Sequence, residues 1–191
     1  MPATNTLGYN PELYWENRGL RYRHREHADE LGHLEKFIKK YAKNQKILEV
    51  GAGYGRVYKY LISKNLKPDF TMCDFVDSFR NKCKEFTGIL PDKWDGKILP
   101  YQDNGFHFVI SFSVCLHVPF DKIDMFLKEH ARVSSNYIFI ATWYEGGGVK
   151  ISGSYCFEHD YYFLFKKYNL EIIEEIKCCK NRRRNWILKK C

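Results

Sequence analysis

Long apolar runs are missing from this chain of 191 residues. None approaches the ~20 residues a membrane-spanning helix needs, so no membrane partner is expected. Residues 1–10 lack the basic-then-apolar layout of a secretory leader, and a cytoplasmic location is the expectation. The seven cysteines, at 73, 83, 115, 156, 178, 179 and 191, form no C-x-x-C pair and are odd in number. That speaks against both a zinc knuckle and a disulfide framework. Several lie within apolar runs, where free cysteine behaves as a small hydrophobe, and no metal site is expected. Acidic residues are absent from Lys177 to Cys191, a stretch with seven Lys or Arg, so only +1 of the net charge of +8 belongs to the rest. The basic character is local, which suggests an anionic partner.

The length allows one domain with a full core. Aromatic residues make up 17% of the chain, enough to fill that core and line a stacking pocket. Helical spacing runs from Pro11 to about Tyr41, with Tyr14, Arg18 and Tyr22 on one face and Leu31, Leu34, Ile38 and Tyr41 forming an apolar stripe. Two helices are predicted, broken near Gly19 or Gly32, as an N-terminal cap over residues 1–44. From residue 45 to 191 strands and helices alternate. Strands are predicted at 46–50, 69–73, 106–114, 137–143, 170–177 and 185–190, with one more placed only vaguely between Ile89 and Pro100. Helices are predicted from about Arg56 to Asn65, from Asp77 or Ser78 as N-cap to Gly88, from Pro119 or Asp121 onward, and near Asp160–Tyr168. Such alternation implies an α/β fold with a parallel sheet covered on both faces.

The most informative stretch is Ile47-Leu-Glu-Val-Gly-Ala-Gly-Tyr-Gly-Arg-Val57. A buried strand ends at Val50, after Glu49; Gly51, Gly53 and Gly55 follow at every second position, and then a helix begins. That arrangement brings bare backbone against a ligand. A dinucleotide fingerprint would need a third glycine at position 56, where Arg56 stands. An acid two residues before Gly51 also suits a ligand with a positive end better than a pyrophosphate. A glycine-rich turn that binds nothing is the plainer alternative.

This run resembles motif I, E-x-G-x-G-x-G, of the class I S-adenosylmethionine-dependent methyltransferases. The resemblance extends over about residues 45–190. It implies a three-layer sandwich around a seven-stranded, mostly parallel sheet with an antiparallel last strand, and S-adenosylmethionine as cofactor. It places Glu49 near the methionine moiety, with Gly51, Ala52, Gly53 and Gly55 passing beneath it. Asp74, at the end of the second strand, would take the ribose hydroxyls, unless it only caps a helix; Phe75 would pack on the adenine. Asp95, in the run Asp-Gly-Lys-Ile-Leu-Pro-Tyr101, would accept from the adenine amino group, though Asp-Gly also makes an ordinary turn. The segment Phe106 to Val118 resembles the family's F-D-x-V-x-S-x-x-V-L-x-H run, with His107 in place of the acid and Ser111 meeting the cofactor. No N/D-P-P-Y/F run, the mark of base-amino and glutamine methylation, stands there.

His117 is the candidate general base, its ordinary pKa of about 6.5 suited to removing a proton; a structural histidine is the alternative. In the cap, Tyr14 and Arg18 are cofactor candidates, Arg18 for the methionine carboxylate, with Trp15 toward the acceptor. Trp143, Tyr144, Tyr155 and Phe157 would line the acceptor side. Arg182, Arg183 and Arg184 would meet anionic groups on the acceptor, or form a solvated charge run. The implied reaction is methyl transfer to an O, N or S atom of a small, anionic molecule. RNA is the alternative acceptor, motivated by the basic tail, and a non-catalytic cofactor-binding protein is the other.

Overall fold

A computed structural model describes residues 10–21, 28–146, 150–151, 155–178 and 182–191. The elements run α1 (Pro11–Arg21), α2 (Ala28–Tyr41), β1 (Lys46–Val50), α3 (Arg56–Ser63), β2 (Asp69–Asp74), α4 (Asp77–Thr87) and β3 (Asp92–Lys93). Then come β4 (Phe106–Phe112), a 3-10 turn (Cys115–His117), α5 (Ile123–Val133), β5 (Ser134–Trp143), β6 (Lys150–Ile151), β7 (Phe157–Glu158), α6 (Tyr161–Lys167), β8 (Leu170–Cys178) and β9 (Arg183–Lys190).

Seven strands form one sheet in the order β3-β2-β1-β4-β5-β9-β8, and β6 pairs with β7 in a separate hairpin. The pairings from β3 through β5 are parallel, and β9 is antiparallel to both of its neighbours. Only β9 is reversed, as expected of the last strand. The central strands are near-continuous apolar runs because both faces are covered. Ile47, Phe108, Ile110, Phe139 and Ile187 pack under α2 and α3. Leu48, Val50, Val109, Ile138, Ile140 and Trp186 pack against α5 and α6. Chain direction diverges between β1 and β4, so their carboxyl ends open a crevice where ligands bind in such sheets.

The N-terminal helices have two different roles. Leu31, Leu34, Phe37 and Ile38 of α2 are buried in the sheet's own core, each contributing roughly 1.5–3 kcal/mol. Helix α2 is therefore a layer of the sandwich, while α1 lies over α4. Helix α1 continues through Gly19 and α2 through Gly32, so neither glycine breaks a helix; residues 22–27 between them lie outside the described residues. Neither Asp77 nor Ser78 caps α4: the N-cap is Val76, with no side-chain cap. The Ser78 N–H donates instead to the Glu16 carboxylate (3.0 and 3.2 Å), and Ser78 Oγ donates to Glu16 C=O (3.1 Å). A carboxylate from α1 thus satisfies an orphan amide of α4. The contact is close because a Cβ on Gly19 would lie 2.1 Å from Ser78 Oγ. Asp77 pairs with Arg80 and Lys93. His107 ties the start of β4 to the end of α2, its Nε2 2.9 Å from Tyr41 O.

Candidate active site

At the crevice lies a cavity of about 550 Å³, within the ~300–1,000 Å³ of small-molecule sites. Its floor is the turn after β1. Gly51 and Ala52 N–H both donate to Cys73 C=O (2.9 and 3.1 Å), joining the ends of β1 and β2. Gly53 has φ of +57°, and a Cβ built there meets no protein atom within 4 Å. Its open side is bare backbone facing the cavity. Gly51 and Gly55 serve packing: a Cβ would lie 2.6 Å from Val114 Cγ2 at the first and 2.5 Å from Thr87 Cγ2 at the second.

Two buried carboxylates border this floor. Glu49 Oε2 is buried with no hydrogen-bond partner among the described residues. Burial holds the Glu49 carboxyl well above its ordinary range; Arg56 opposes that, and Asp74 adds to it. A buried acid in that condition is matched to a cationic or donor-bearing ligand. Asp74 Oδ2 accepts from Gly53 N–H (2.8 Å) and Oδ1 from Val76 N–H (2.9 Å). Burial pushes Asp74 up to about 6, against the pull of the Val76, Gly53 and Phe75 amides. Asp74 thus links the glycine turn to the start of α4.

Phe75, Trp94, Asp95, Gly96 and Phe126 line one end of the cavity. Asp95 Oδ1 accepts from Lys97 and Ile98 N–H (2.8 and 2.9 Å), which shapes a turn around the carboxylate. Trp94 is buried, its Nε1 without a partner among the described residues. At the other end stand Trp15, Arg18, His117 and Arg183. The Trp15 ring meets His117 edge-on at 4.5 Å, and Arg18 lies 5.6 Å from the Trp15 centroid. His117 Nδ1 is 2.9 Å from Tyr155 O. That bond assigns the Nδ1–H tautomer, with Nε2 as the basic nitrogen. Burial pulls the imidazole down to about 4, so it is neutral at pH 7.

Of the residues singled out from sequence, Glu49, Gly51, Ala52, Gly53, Asp74, Phe75, Asp95, Trp15, Arg18, His117 and Arg183 all border this cavity. Others do not. Ser111 is fully buried, its Oγ 3.4 Å from Cys115 Sγ, and β4 ends at Phe112. Ser113 takes the place expected of it at the cavity. Gly55 packs behind the turn against α4. Tyr14 stands behind Trp15, its ring 4.7 Å from that of Tyr155. Tyr144 belongs to the aromatic core with Tyr161 and Trp186, and Phe157 packs on Phe120 and His159. Trp143 pairs with Arg183 across β5 and β9 without bordering the cavity.

The three arginines separate. Arg182 is 70% exposed; Arg184 is 9% exposed, pairing with Glu175 and lying over Tyr144. Successive residues of a strand point to opposite faces, so only Arg183 reaches the cavity. Sequence reasoning missed Arg56, Trp94, Val114 and Phe126, all of which line it. Arg56 was marked by following the glycines directly; Trp94 sits in an aperiodic stretch beside Asp95.

A family model described as a methyltransferase domain matches residues 47–136. No curated protein matches the chain in sequence. Among solved structures, a Pyrococcus horikoshii OT3 protein superposes with TM-score 0.71 at 17% identity, covering 88% of this chain and 93% of its own. A SAM-dependent methyltransferase from Aquifex aeolicus gives 0.63 at 16% identity, with 87% and 100% covered. The magnesium protoporphyrin IX methyltransferase from Synechocystis PCC 6803, with bound SAH, gives 0.71 at 10% identity, with 95% and 96% covered. The matched segment runs from the glycine turn through β4 to β5, the part of the fold that builds the cavity floor. With motif I on that floor and the sheet order just described, residues 47–136 match a methyltransferase domain and the chain has the fold of the S-adenosylmethionine-dependent methyltransferases.

Proposed function

We propose that this enzyme transfers the methyl group of S-adenosylmethionine to an O, N or S atom of a small molecule. One observation carries the reading: the unpartnered Glu49 carboxylate oxygen, the open side of Gly53 and the Asp74 carboxylate all face a single cavity. An acid for a positively charged ligand end, bare backbone for close approach and a carboxylate for a diol fit that cofactor together.

In this reading Asp74 accepts the ribose hydroxyls in a charge-assisted, bidentate match. Phe75 and Trp94 flank the adenine, and Asp95 accepts from its amino group. Glu49 sits by the methionine moiety, and Arg18 serves its carboxylate. When bound, the cofactor supplies a methyl group already activated by the sulfonium. The protein's work is to hold the acceptor in line and keep water out. Trp15 provides an aromatic wall that also favours a cation. His117, neutral and held by Tyr155, offers Nε2 to an acceptor O–H or N–H. With a pKa of about 4 it orients that group and takes a proton only transiently.

A small acceptor is favoured because one cavity of this size must hold both molecules. The Synechocystis neighbour, whose name gives a small-molecule acceptor, agrees in fold. The RNA alternative is motivated by the basic tail, and the three adjacent arginines of that tail do not form one surface. Calorimetric titration tests the reading: S-adenosylmethionine and S-adenosylhomocysteine should bind one to one in the micromolar range, and NAD should not. Absence of binding by both would reject it.

A further inference from the structure

A buried ion pair stands in the cavity wall away from the glycine turn. Arg183 begins β9 and its side chain is 17% exposed; Nε lies 2.5 Å from Glu30 Oε1, whose side chain is 2% exposed. Arg183 Nη2 also donates to Ser113 Oγ at 2.5 Å. A guanidinium carries five N–H donors in a planar fork. This one is clamped by α2 on one side and by the exit of β4 on the other, yet still borders the cavity with donors to spare. Burying such a pair is weak evidence for a purely stabilising role, because desolvation offsets the attraction. Ser113 has φ of +62°, a conformation unusual for a non-glycine residue. Strain of that kind collects at functional sites.

The surroundings narrow what Arg183 could meet. Burial holds the His117 imidazole uncharged, and the nearby Arg18 and Arg183 charges add to that effect. With Arg18 serving the cofactor carboxylate, the acceptor end combines the Arg183–Glu30 pair and a neutral histidine. A ligand there meets one directed guanidinium fork beside an uncharged ring. Arg182 and Arg184 point elsewhere, so a row of phosphates would find no row of partners.

We propose that Arg183, positioned by Glu30 and Ser113, is the acceptor-recognition residue, and that the acceptor is a small molecule bearing one oxyanion, a carboxylate or a phosphate. This deepens the methyl-transfer reading and rests on it. Glu30 is a positioning residue: it touches no substrate and fixes the plane of the fork. Bidentate geometry makes lysine a poor substitute.

The test divides a cell extract before reaction into anion-exchange-retained small molecules, unretained small molecules and RNA. Each fraction is incubated with methyl-labelled S-adenosylmethionine and the full-length protein. Label should enter the retained small-molecule fraction. Prior phosphatase treatment abolishes the signal if the group is a phosphate and spares it if it is a carboxylate. Arg183→Gln should cut labelling at least tenfold, and Arg183→Lys should fall between. With the acceptor purified, Glu30→Gln should raise its KM with kcat and cofactor affinity retained, a split that mere loss of stability would not give. Because Arg183→Gln removes the cationic partner of a buried carboxylate and can unfold the chain, the double variant Glu30→Gln/Arg183→Gln is measured beside it. It should bind cofactor as the wild type does and label no better than the single variant. Label in the unretained or RNA fraction overturns the proposal. So does wild-type labelling by a folded double variant, or cofactor binding with no fraction labelled. Failure to bind S-adenosylmethionine at all would instead refute the cofactor reading beneath it.

Discussion

Cofactor affinity should fall with acid because Asp74 must be ionised to serve two hydroxyls. Burial lifts its pKa from 3.8 to about 6 in the unliganded protein, with the Val76, Gly53 and Phe75 amides and Lys93 restraining the rise. The sign for stability follows from that direction. A raised carboxylate contributes stability that is full below about 3.8 and lost as the pH climbs through about 6. The loss is on the order of 3 kcal/mol, since each pKa unit is worth about 1.4 kcal/mol. For the cofactor the sign is opposite, because a proton on Asp74 competes with the ribose. Between pH 7.5 and pH 5 the affinity should weaken about tenfold, ~1.4 kcal/mol, if the group titrates near 6. Glu49, also raised by burial, faces the cationic end and adds to the same slope. Titration calorimetry in buffers of differing ionisation heat measures both affinity and proton exchange, and binding at pH 6 should release protons. Asp74→Ala should lose roughly 1.5–3 kcal/mol of binding at pH 7.5, the range for hydrogen bonds to charged groups, and Asp74→Asn less. A flat affinity from pH 5 to 7.5, or proton uptake on binding, would refute the reasoning.

Gly53→Val should abolish cofactor binding while the sheet still folds, because the new side chain enters open cavity; retained micromolar affinity by calorimetry would count against the site. Gly51→Ala and Gly55→Ala collide with Val114 and Thr87 instead, so their main effect should be a lowered melting temperature. For His117→Ala, turnover on the identified acceptor should fall by roughly 10²–10⁴-fold if the ring takes the proton, with cofactor affinity unchanged; a change of only a few-fold returns His117 to a structural role. With its pKa near 4, His117 should add no inflection to the pH–rate profile between 6 and 7. Gly19→Ala should push α1 from Ser78 and weaken cofactor binding several-fold with little change in melting temperature; an equal loss of both would show that α1 is needed for folding.

The sheet could be read ahead of the structure where strands are long, apolar and buried on both faces, as in β1, β4 and β5. Strand β3 could not, because it is two exposed residues, Asp92 and Lys93, at the sheet edge. The glycine turn was legible since its spacing is set by local backbone geometry. Positions set by tertiary contact were harder. Strand β4 stops at Phe112 and the chain turns through a positive φ at Ser113, which moves the cavity contact from Ser111 to Ser113. Strand register decides which of three adjacent arginines faces inward, and nothing in their sequence marks Arg183. The cap of α4 came from Glu16, 62 residues away, and not from the local Asp77 or Ser78.

The most direct measurement of the central claim is mass spectrometry of the cofactor during incubation with purified small metabolites. The account predicts that S-adenosylmethionine is converted to S-adenosylhomocysteine only when the metabolites are present, with one product gaining a single methyl group. Tight cofactor binding with no conversion on any small-molecule fraction, or conversion driven by RNA alone, would contradict it.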